Sequence, residues 1–446
     1  MQILILGDNT NAMSVGQALA ATHDVRLIGN NRDRLAHIEK SVDCQIIHHN
    51  PLNQEGWRQA QIQDCDVLIA MTDSEESNIL ACQIISQLHA LQLVICAVSN
   101  ELHPFRAQLF PHSNTTQYIV LSTANLIANK LEQILLHHHC EEVITASNNR
   151  FCCLKVKLTN QSPLIGQKTS DFEENLPQGA NIAALIREDQ CQNIDNKTTF
   201  CTNDVLLLAQ PQTLSNNLLN QITAHTDTYK RIMIAGNGDT TLALLNSIQH
   251  SYMITVIIED LQHAQSIASS FPGVIVLHGS INDNDLLKDE NIGDYDVFIA
   301  LSKDDENNLT SALQAKNYGT KFVVTLINQP GLIPVIEHTP IDSIISPQNT
   351  LSDHIYQHTH PGAIQSISHL DHNHGVVVEI ILPSHLNNTK FNQWNLSPHC
   401  QCIGLINQET VLSIQRDRTF TTNDHFHIYV PDNKELDKLQ ALLAKS

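Results

Sequence analysis

The residues with the most chemical promise lie between Lys230 and Asp260, in the stretch KRIMIAGNGDTTLALLNSIQHSYMITVIIED. Gly236, Asn237 and Gly238 make a G-x-G turn, and Glu259 follows roughly 20 residues later, the spacing at which a strand, helix, strand unit sets a carboxylate beside a bound ribose. Gly236 permits a sharp turn. Gly238 has no Cβ, so the main chain can approach a diphosphate and aim helix-start N–H groups at it. Glu259 can accept hydrogen bonds from ribose hydroxyls, and no Lys or Arg follows it in Asp260-Leu261-Gln262-His263. A 2′-phosphate would face two carboxylates there, each unpaired contact costing up to about 4 kcal/mol at about 4 Å and an effective dielectric near 20. Adenine nucleotides or NAD(H) are therefore expected in preference to NADP(H). The third fingerprint position holds Thr241 instead of Gly or Ala, and a G-x-G alone is common in ordinary turns.

Two histidine groups, His137-His138-His139-Cys140 and His369-x-x-His372-x-His374, carry metal-ligating residue types. Consecutive helical residues diverge by about 100°, so at most two of the first group could share an ion. A polar helix terminus is the expected reading, and no metal site is assigned. Cys152-Cys153 lies in an alternating strand, which turns one thiol to the core and the other away. No catalytic residue is assigned either.

The elements that must hold the turn are legible around it. Arg231 to Ala235 is an aliphatic strand, Leu242, Leu244, Leu245 and Ile248 form a helical stripe, and Ile254 to Ile258 is a second strand. The unit occurs twice. Cys65-Asp66-Val67-Leu68-Ile69-Ala70 aligns with Tyr295-Asp296-Val297-Phe298-Ile299-Ala300 at an offset of 230 residues, and Gly7 answers Gly236 at 229. A second repeat, at 220 residues, relates Asn175–Asp204 to Asn395–Asp424, with period-2 alternation and Pro/Gly/Asn turns that indicate small β-rich lobes. The order is α/β unit, lobe, α/β unit, lobe. An amphipathic helix leads into each lobe. The first carries Leu126, Ile127, Leu131, Ile134 and Leu135 after a Ser122-Thr123 cap, and the second opens on Ser346-Pro347. Such a stripe packs on its own domain or crosses to a second subunit.

With 446 residues, 46 Asp+Glu against 25 Lys+Arg and a formal charge of −21, the chain is long enough for several domains and a poor match for nucleic acid or anionic membrane surfaces. Its 11 scattered cysteines, with no secretory segment at Met1, suggest a reducing cytoplasm. No run reaches the roughly 18 apolar residues a membrane helix needs.

Taken together, the GNG turn, Glu259, the Asp296–Ala300 strand with its Asp304-Asp305-Glu306-x-Asn308 loop, the Ser162-Pro163-Leu164-Ile165-Gly166 opening of the first lobe, and their duplication resemble the RCK family, regulators of K⁺ conductance. The resemblance covers nearly the whole chain. It implies an α/β fold with two Rossmann-like parallel-sheet N-domains, each followed by a small β-rich α+β C-lobe. The bounds expected are 1–122, a crossover helix 123–140, lobe 141–225, 229–348, a crossover helix 349–366 and lobe 367–446. In such proteins, the resemblance implies, the N-domains bind NAD(H) and ATP or ADP. Subunits pair through crossover helices, and a tetramer, a dimer of dimers, docks beneath a Trk-type membrane potassium channel subunit. That places the chain in the cytoplasm, peripheral to the membrane through its partner.

Carried over residue by residue, Gly236, Asn237, Gly238, Asp239 and Thr240 would meet phosphates and Glu259 the ribose. Gly279 and Ser280 would lie near adenine, with Ser302 and Lys303 at the end of the fourth strand. Lys303 either reaches a phosphate or is a solvated loop lysine. The first unit departs from this pattern. Its turn reads Gly7-Asp8-Asn9-Thr10-Asn11-Ala12, Gly29 stands in the place of the ribose carboxylate, and Ala97-Val98-Ser99 replaces the arginines expected on the fifth strand. It is expected to be a degenerate copy that binds NAD(H) weakly or not at all. The function expected is ligand-controlled gating. The alternatives are an NAD-dependent oxidoreductase, for which neither lobe supplies a placeable acid or base, and a free-standing nucleotide sensor.

Overall fold

The structure is a computed structural model that describes every residue except 21, 100–101, 111–114, 148–149, 189, 193, 196, 224–227, 337, 360–362, 371–373, 408–409, 413–418, 422–423 and 444–446. Aliphatic runs bounded by turn residues form β1 (Gln2–Leu6), β2 (Asp24–Gly29), β3 (Gln45–His48), β4 (Val67–Ala70), β5 (Leu93–Ala97) and β6 (Gln117–Leu121). These strands are parallel, in the order β3-β2-β1-β4-β5-β6. Helices cover both faces, which is why the central strands are apolar throughout and do not alternate. The first lobe holds β7 (Glu142–Ala146), β8 (Phe151–Lys157), β9 (Asn181–Arg187), β10 (Gln190–Cys191) and β11 (Val205–Pro211) in an antiparallel sheet ordered β10-β9-β11-β8-β7.

The second unit repeats the first with β12 (Arg231–Ala235), β13 (Met253–Ile258), β14 (Ile275–His278), β15 (Val297–Ala300), β16 (Phe322–Leu326) and β17 (Ser343–Ile345), ordered β14-β13-β12-β15-β16-β17. The second lobe, β18 (Ile364–His369), β19 (Val376–Ile381), β20 (Gln401–Asn407), β21 (Thr410–Leu412) and β22 (His425–Val430), repeats the first lobe's pairing. The lobe turn recurs in detail. Asp204 accepts from the Cys201 N–H at 2.7 Å, and Asp424 from that of Thr421 at 2.8 Å. Thr422 and Asn423 of that repeat lie outside the described residues. The second crossover helix spans Pro347–Thr359, not 349–366, because Pro347 takes the first helical position after Ser346 and the chain is already in β18 by Ile364.

The crossover is made inside one chain. The Thr123–Leu136 helix, leaving the first unit, packs on Asp239–Ile248, the first helix of the second unit; Pro347–Thr359 packs on Thr10–Ala20 of the first. One core accordingly joins Ile127, Leu131 and Leu135 to the first lobe and the second unit, and another joins the first unit to the second lobe. Burying each of these large aliphatics is worth about 1.5–3 kcal/mol. The pairing that the resemblance assigned to two subunits is thus present between two halves of this chain.

The lobes also meet face to face. Ile144, Phe151, Cys153 and Leu207 pack against Val377, Ile403 and Tyr429. Phe151 stacks on His427 at a centroid distance of 4.0 Å, in space that exists because Gly404 has no Cβ. This face corrects the reading of Cys152-Cys153. Both thiols are buried, one in each core, since the second side of β8 is covered by the other lobe. Burial pushes the Cys152 thiol up to about 12 and that of Cys153 further, so neither is a nucleophile near neutral pH. The first histidine group is likewise no solvated helix end. His137 is buried, His139 N–H donates to the Tyr229 hydroxyl at 3.0 Å, and the rings of His138 and His139 stand edge-on to Tyr229. It is the joint between the first crossover helix and the second unit. Among the described residues, no three His, Cys, Asp or Glu side chains are grouped to hold a metal ion, and His372 lies outside them. No helix among them is long and apolar enough to cross a membrane.

Candidate nucleotide site

In the second unit the strand order reverses between β12 and β15, which leaves a crevice at their C-terminal ends. Parallel register brings the expected residues there. Ala235 pairs with Ile257 and Ala300, and Ile258 with His278, so Gly236–Thr240, Glu259, Gly279–Ser280 and Ser302–Lys303 all leave the sheet at one edge.

The two glycines of the turn do different work. Gly236 has φ +141°, and a Cβ on it would lie 2.7 Å from the Leu301 carbonyl, so folding itself requires glycine. Gly238 caps the Asp239–Ile248 helix with φ −82° and ψ 176°, an ordinary conformation, and a Cβ there would meet nothing within 4 Å. The protein's own packing does not need that glycine. What it preserves is open space in front of the helix N-terminus, an end that favours negative charge. Thr241 resolves the mismatch at the third position. It is fully buried, and its hydroxyl donates to the Gly236 carbonyl at 3.1 Å, so the larger side chain packs without an orphaned polar atom.

Glu259 is exposed at the end of β13, and its Oε1 accepts from the Ser280 hydroxyl at 2.8 Å. Ser280 therefore bears on the carboxylate itself, orienting it. A Cβ on Gly279 would stand 2.7 Å from Leu286 Cδ2, which would have to move aside. Asp260, the second carboxylate counted against a 2′-phosphate, caps the next helix by accepting from His263 N–H at 2.8 Å, a bond that holds its carboxyl below the usual range. Lys303 is exposed at the rim.

The loop motif Asp304-Asp305-Glu306-x-Asn308 forms a brace under this rim. Asn308 is fully buried. Its Oδ1 accepts from Ser302 N–H at 2.8 Å, and its amide donates to the carbonyls of Ser302 and Leu326, both at 2.9 Å. Asp305 holds the next loop through the N–H groups of Asn328 and Gln329. The signal was available in the repeat, because Asn78 makes the same bonds to Thr72 and Ala97. Asn308→Ala is expected to remove the partner of three backbone groups, that of Leu326 buried and those of Ser302 partly so, and to cost about 2–4 kcal/mol, read as a lower urea midpoint. Nucleotide affinity should fall with it, since Ser302 and Lys303 lose their support.

The first unit's crevice differs. The ring of His48 lies 3.1 Å from the Asn30 carbonyl as that of His278 does from the Glu259 carbonyl, so Asn30, not Gly29, stands in the place of Glu259. Gly29 matches Ile258, one residue inside the strand. Its glycine makes room for Asp8, whose Cβ a Gly29 Cβ would meet at 2.6 Å. The Asn9 side chain occupies the turn, donating to the Met71 carbonyl at 2.8 Å and accepting from Ala12 N–H at 2.9 Å.

Comparison with known proteins agrees with this architecture. The TrkA-N domain matches residues 3–120 and 232–347, together more than half of the chain. The chain is 26% identical to the Trk system potassium uptake protein TrkA of Haemophilus influenzae, over all of this chain and 99% of that one. It is 25% identical to the protein of the same name from Vibrio alginolyticus, with the same coverage. Among solved structures, the GsuK RCK domain superposes with a TM-score of 0.61 at 14% identity, over 100% of this chain and 95% of that one. The GsuK channel bound to NAD superposes with 0.62 at 14% identity, over 100% and 79%. At that identity the likeness concerns the fold.

Proposed function

The chain belongs to the TrkA-N domain family, and from that premise we propose that it is a nucleotide-controlled regulatory subunit of a Trk-type potassium uptake system. The second crevice is the ligand site, for NAD(H) or for ATP and ADP. The observation that carries the reading is Gly238, a residue whose missing side chain serves no packing purpose but leaves a helix N-terminus bare opposite an acid at the end of the next strand. Gly236 to Thr240 meet the diphosphate, Glu259 takes the ribose hydroxyls with Ser280 behind it, Gly279 borders the base, and Ser302 and Lys303 close the rim. The cofactor would be held and sensed, not turned over.

Full-length similarity to relatives named as potassium uptake proteins supports a partnership with a membrane potassium channel subunit at the cytoplasmic face. Self-association as a dimer of dimers is the assembly expected. Coupling energies of about 1–3 kcal/mol per site, summed over several copies, suffice to shift a channel's open population strongly.

Titration calorimetry of the whole chain with ADP, NADH and NADPH tests the site. One tight equivalent of ADP or NADH per chain and weaker NADPH are expected; two tight equivalents would contradict a single competent crevice. A strain lacking the gene should grow poorly at low potassium, and normal growth would favour a free-standing sensor. Substrate-dependent change in NADH absorbance at 340 nm would support the oxidoreductase instead.

A further inference from the structure

Four crevice residues of the first unit differ together from their second-unit counterparts. Asp8 replaces Asn237, Asn9 replaces Gly238, Arg34 replaces His263 and Asp73 replaces Lys303. In space the four form one network. Asp8, its side chain only 10% exposed, accepts from the N–H groups of Asn30 and Asn31, each at 2.8 Å. Asn9 donates to the Met71 carbonyl and, at 3.0 Å, to Asp73. Arg34 then spans the opening, 3.3 Å from Asp8 and 2.6 Å from Asp73. The turn after β1, the helix start after β2 and the loop after β4 are thereby tied to one another by side chains. Those are the same strand ends that a dinucleotide would bridge.

The substitutions are mutually dependent. Asp8 can lie down over β2 only because Gly29 stands where the second unit has buried Ile258. Arg34 has two carboxylates to meet only because Asp73 is not lysine. In the second unit, the corresponding ties are absent among the described residues: Glu259 bonds Ser280 on the neighbouring strand end, and His263 pairs with Asp260 on its own helix. A ligand diphosphate entering the first crevice would meet Asp8 and Asp73 with a guanidinium already committed to both, so net repulsion adds to the steric block of Asn9.

We infer that the first unit carries its own substitute for a ligand: Asp8, Asn9, Arg34 and Asp73 hold its strand ends in the bridged arrangement permanently, whereas the second unit reaches that arrangement only when nucleotide binds. The half about the second unit rests on the proposed function above; the half about the first does not. One chain would then pair a fixed reference half with a responsive half across its crossover helices, so that nucleotide changes the relation between them and not both at once.

Hydrogen exchange by mass spectrometry on the full chain tests this. Without ligand, segments 27–34 and 68–74 should exchange slowly, and the matching segments 256–263 and 298–304 should slow to similar rates only with saturating ADP. Arg34→Ala should speed the first pair about three-fold, and Asp8→Asn with Arg34→Ala about ten-fold or more, leaving 256–263 unchanged. Equal ligand-free rates in the two units, slowing of 27–34 by ADP, or no response to Arg34→Ala would each overturn the inference. Failure of ADP to slow 256–263 would count against the nucleotide reading alone, because the ligand-free comparison of wild type with the variants stands without it. If the double variant does not fold, Arg34→Ala, at a half-exposed position, still decides the matter.

Discussion

Gly238→Asp is expected to abolish binding of ADP and NADH while the protein folds and melts as before. The structural half of the expectation follows from the backbone. With φ −82° and ψ 176°, position 238 suits any L-residue, and a Cβ there has no neighbour within 4 Å. Aspartate is moreover a good N-cap, and its carboxylate can accept from the free N–H groups of the Asp239–Ile248 helix. That is why binding should fail. The new carboxylate takes the donors a phosphate would use and sets a like charge beside it. At about 4 Å and an effective dielectric near 20 the repulsion is about 4 kcal/mol, roughly a thousand-fold in affinity. Calorimetric titration and a thermal melt read the two halves separately, and unchanged ADP affinity would remove the turn from the site. Gly236→Asp makes the contrast. It should fail to fold properly, because its Cβ would collide with the Leu301 carbonyl at φ +141°.

The second large effect is acid sensitivity between about pH 6.5 and pH 4. Burial pushes three histidines down to about 4: His137 beside Gln212 at the end of the first crossover helix, His354 beside His358 on the second, and His427 against Phe151 of the first lobe. Opposing influences are present. Asn216 favours the charged form of His137 and Glu379 that of His427, but burial is the larger effect in each case. A histidine whose folded value lies below its unfolded value takes up its proton in the unfolded chain first. The stability it contributes is complete above about pH 6.5, declines as pH falls through the window, and levels off below about 4. Each shift corresponds to at most about 3 kcal/mol. Half-buried Glu141 and Asp342, whose values are raised by desolvation, gain stability as pH falls and offset part of the loss. Urea midpoints at pH 7.5, 6 and 5 should fall by several kcal/mol equivalent across the series, and His427→Gln should flatten the slope. A midpoint constant from pH 7.5 to 5 would sink the account. His427 stacks on Phe151 where the two lobes meet, so loosening of that contact is the expected first step of acid unfolding.

The local elements and the repeat are written in the chain at short range. Aliphatic runs ending in Gly7 and Gly236, the Ser122 and Ser346 caps and the alternation of the lobe strands are short-range signals, written within a few residues. Gly236, Gly238 and Glu259 were legible for the same reason, since a βαβ unit fixes their spacing. What lay across the fold was not. The one-residue slip between Gly29 and Asn30 is settled by strand register, which pairs Gly29 with His48 as it pairs Ile258 with His278, and by the matching contacts of those two histidines. Ser280 was placed near a base by analogy, and its bond to Glu259 depends on how two strand ends face each other. Both thiols of Cys152-Cys153 are buried, and the histidine run is a joint, because a second lobe and Tyr229 arrive from more than 75 residues away in the chain. The direction of the crossover helices was open for the same physical reason. An amphipathic stripe specifies that it must be covered but not by what; here each half of the chain covers the other's.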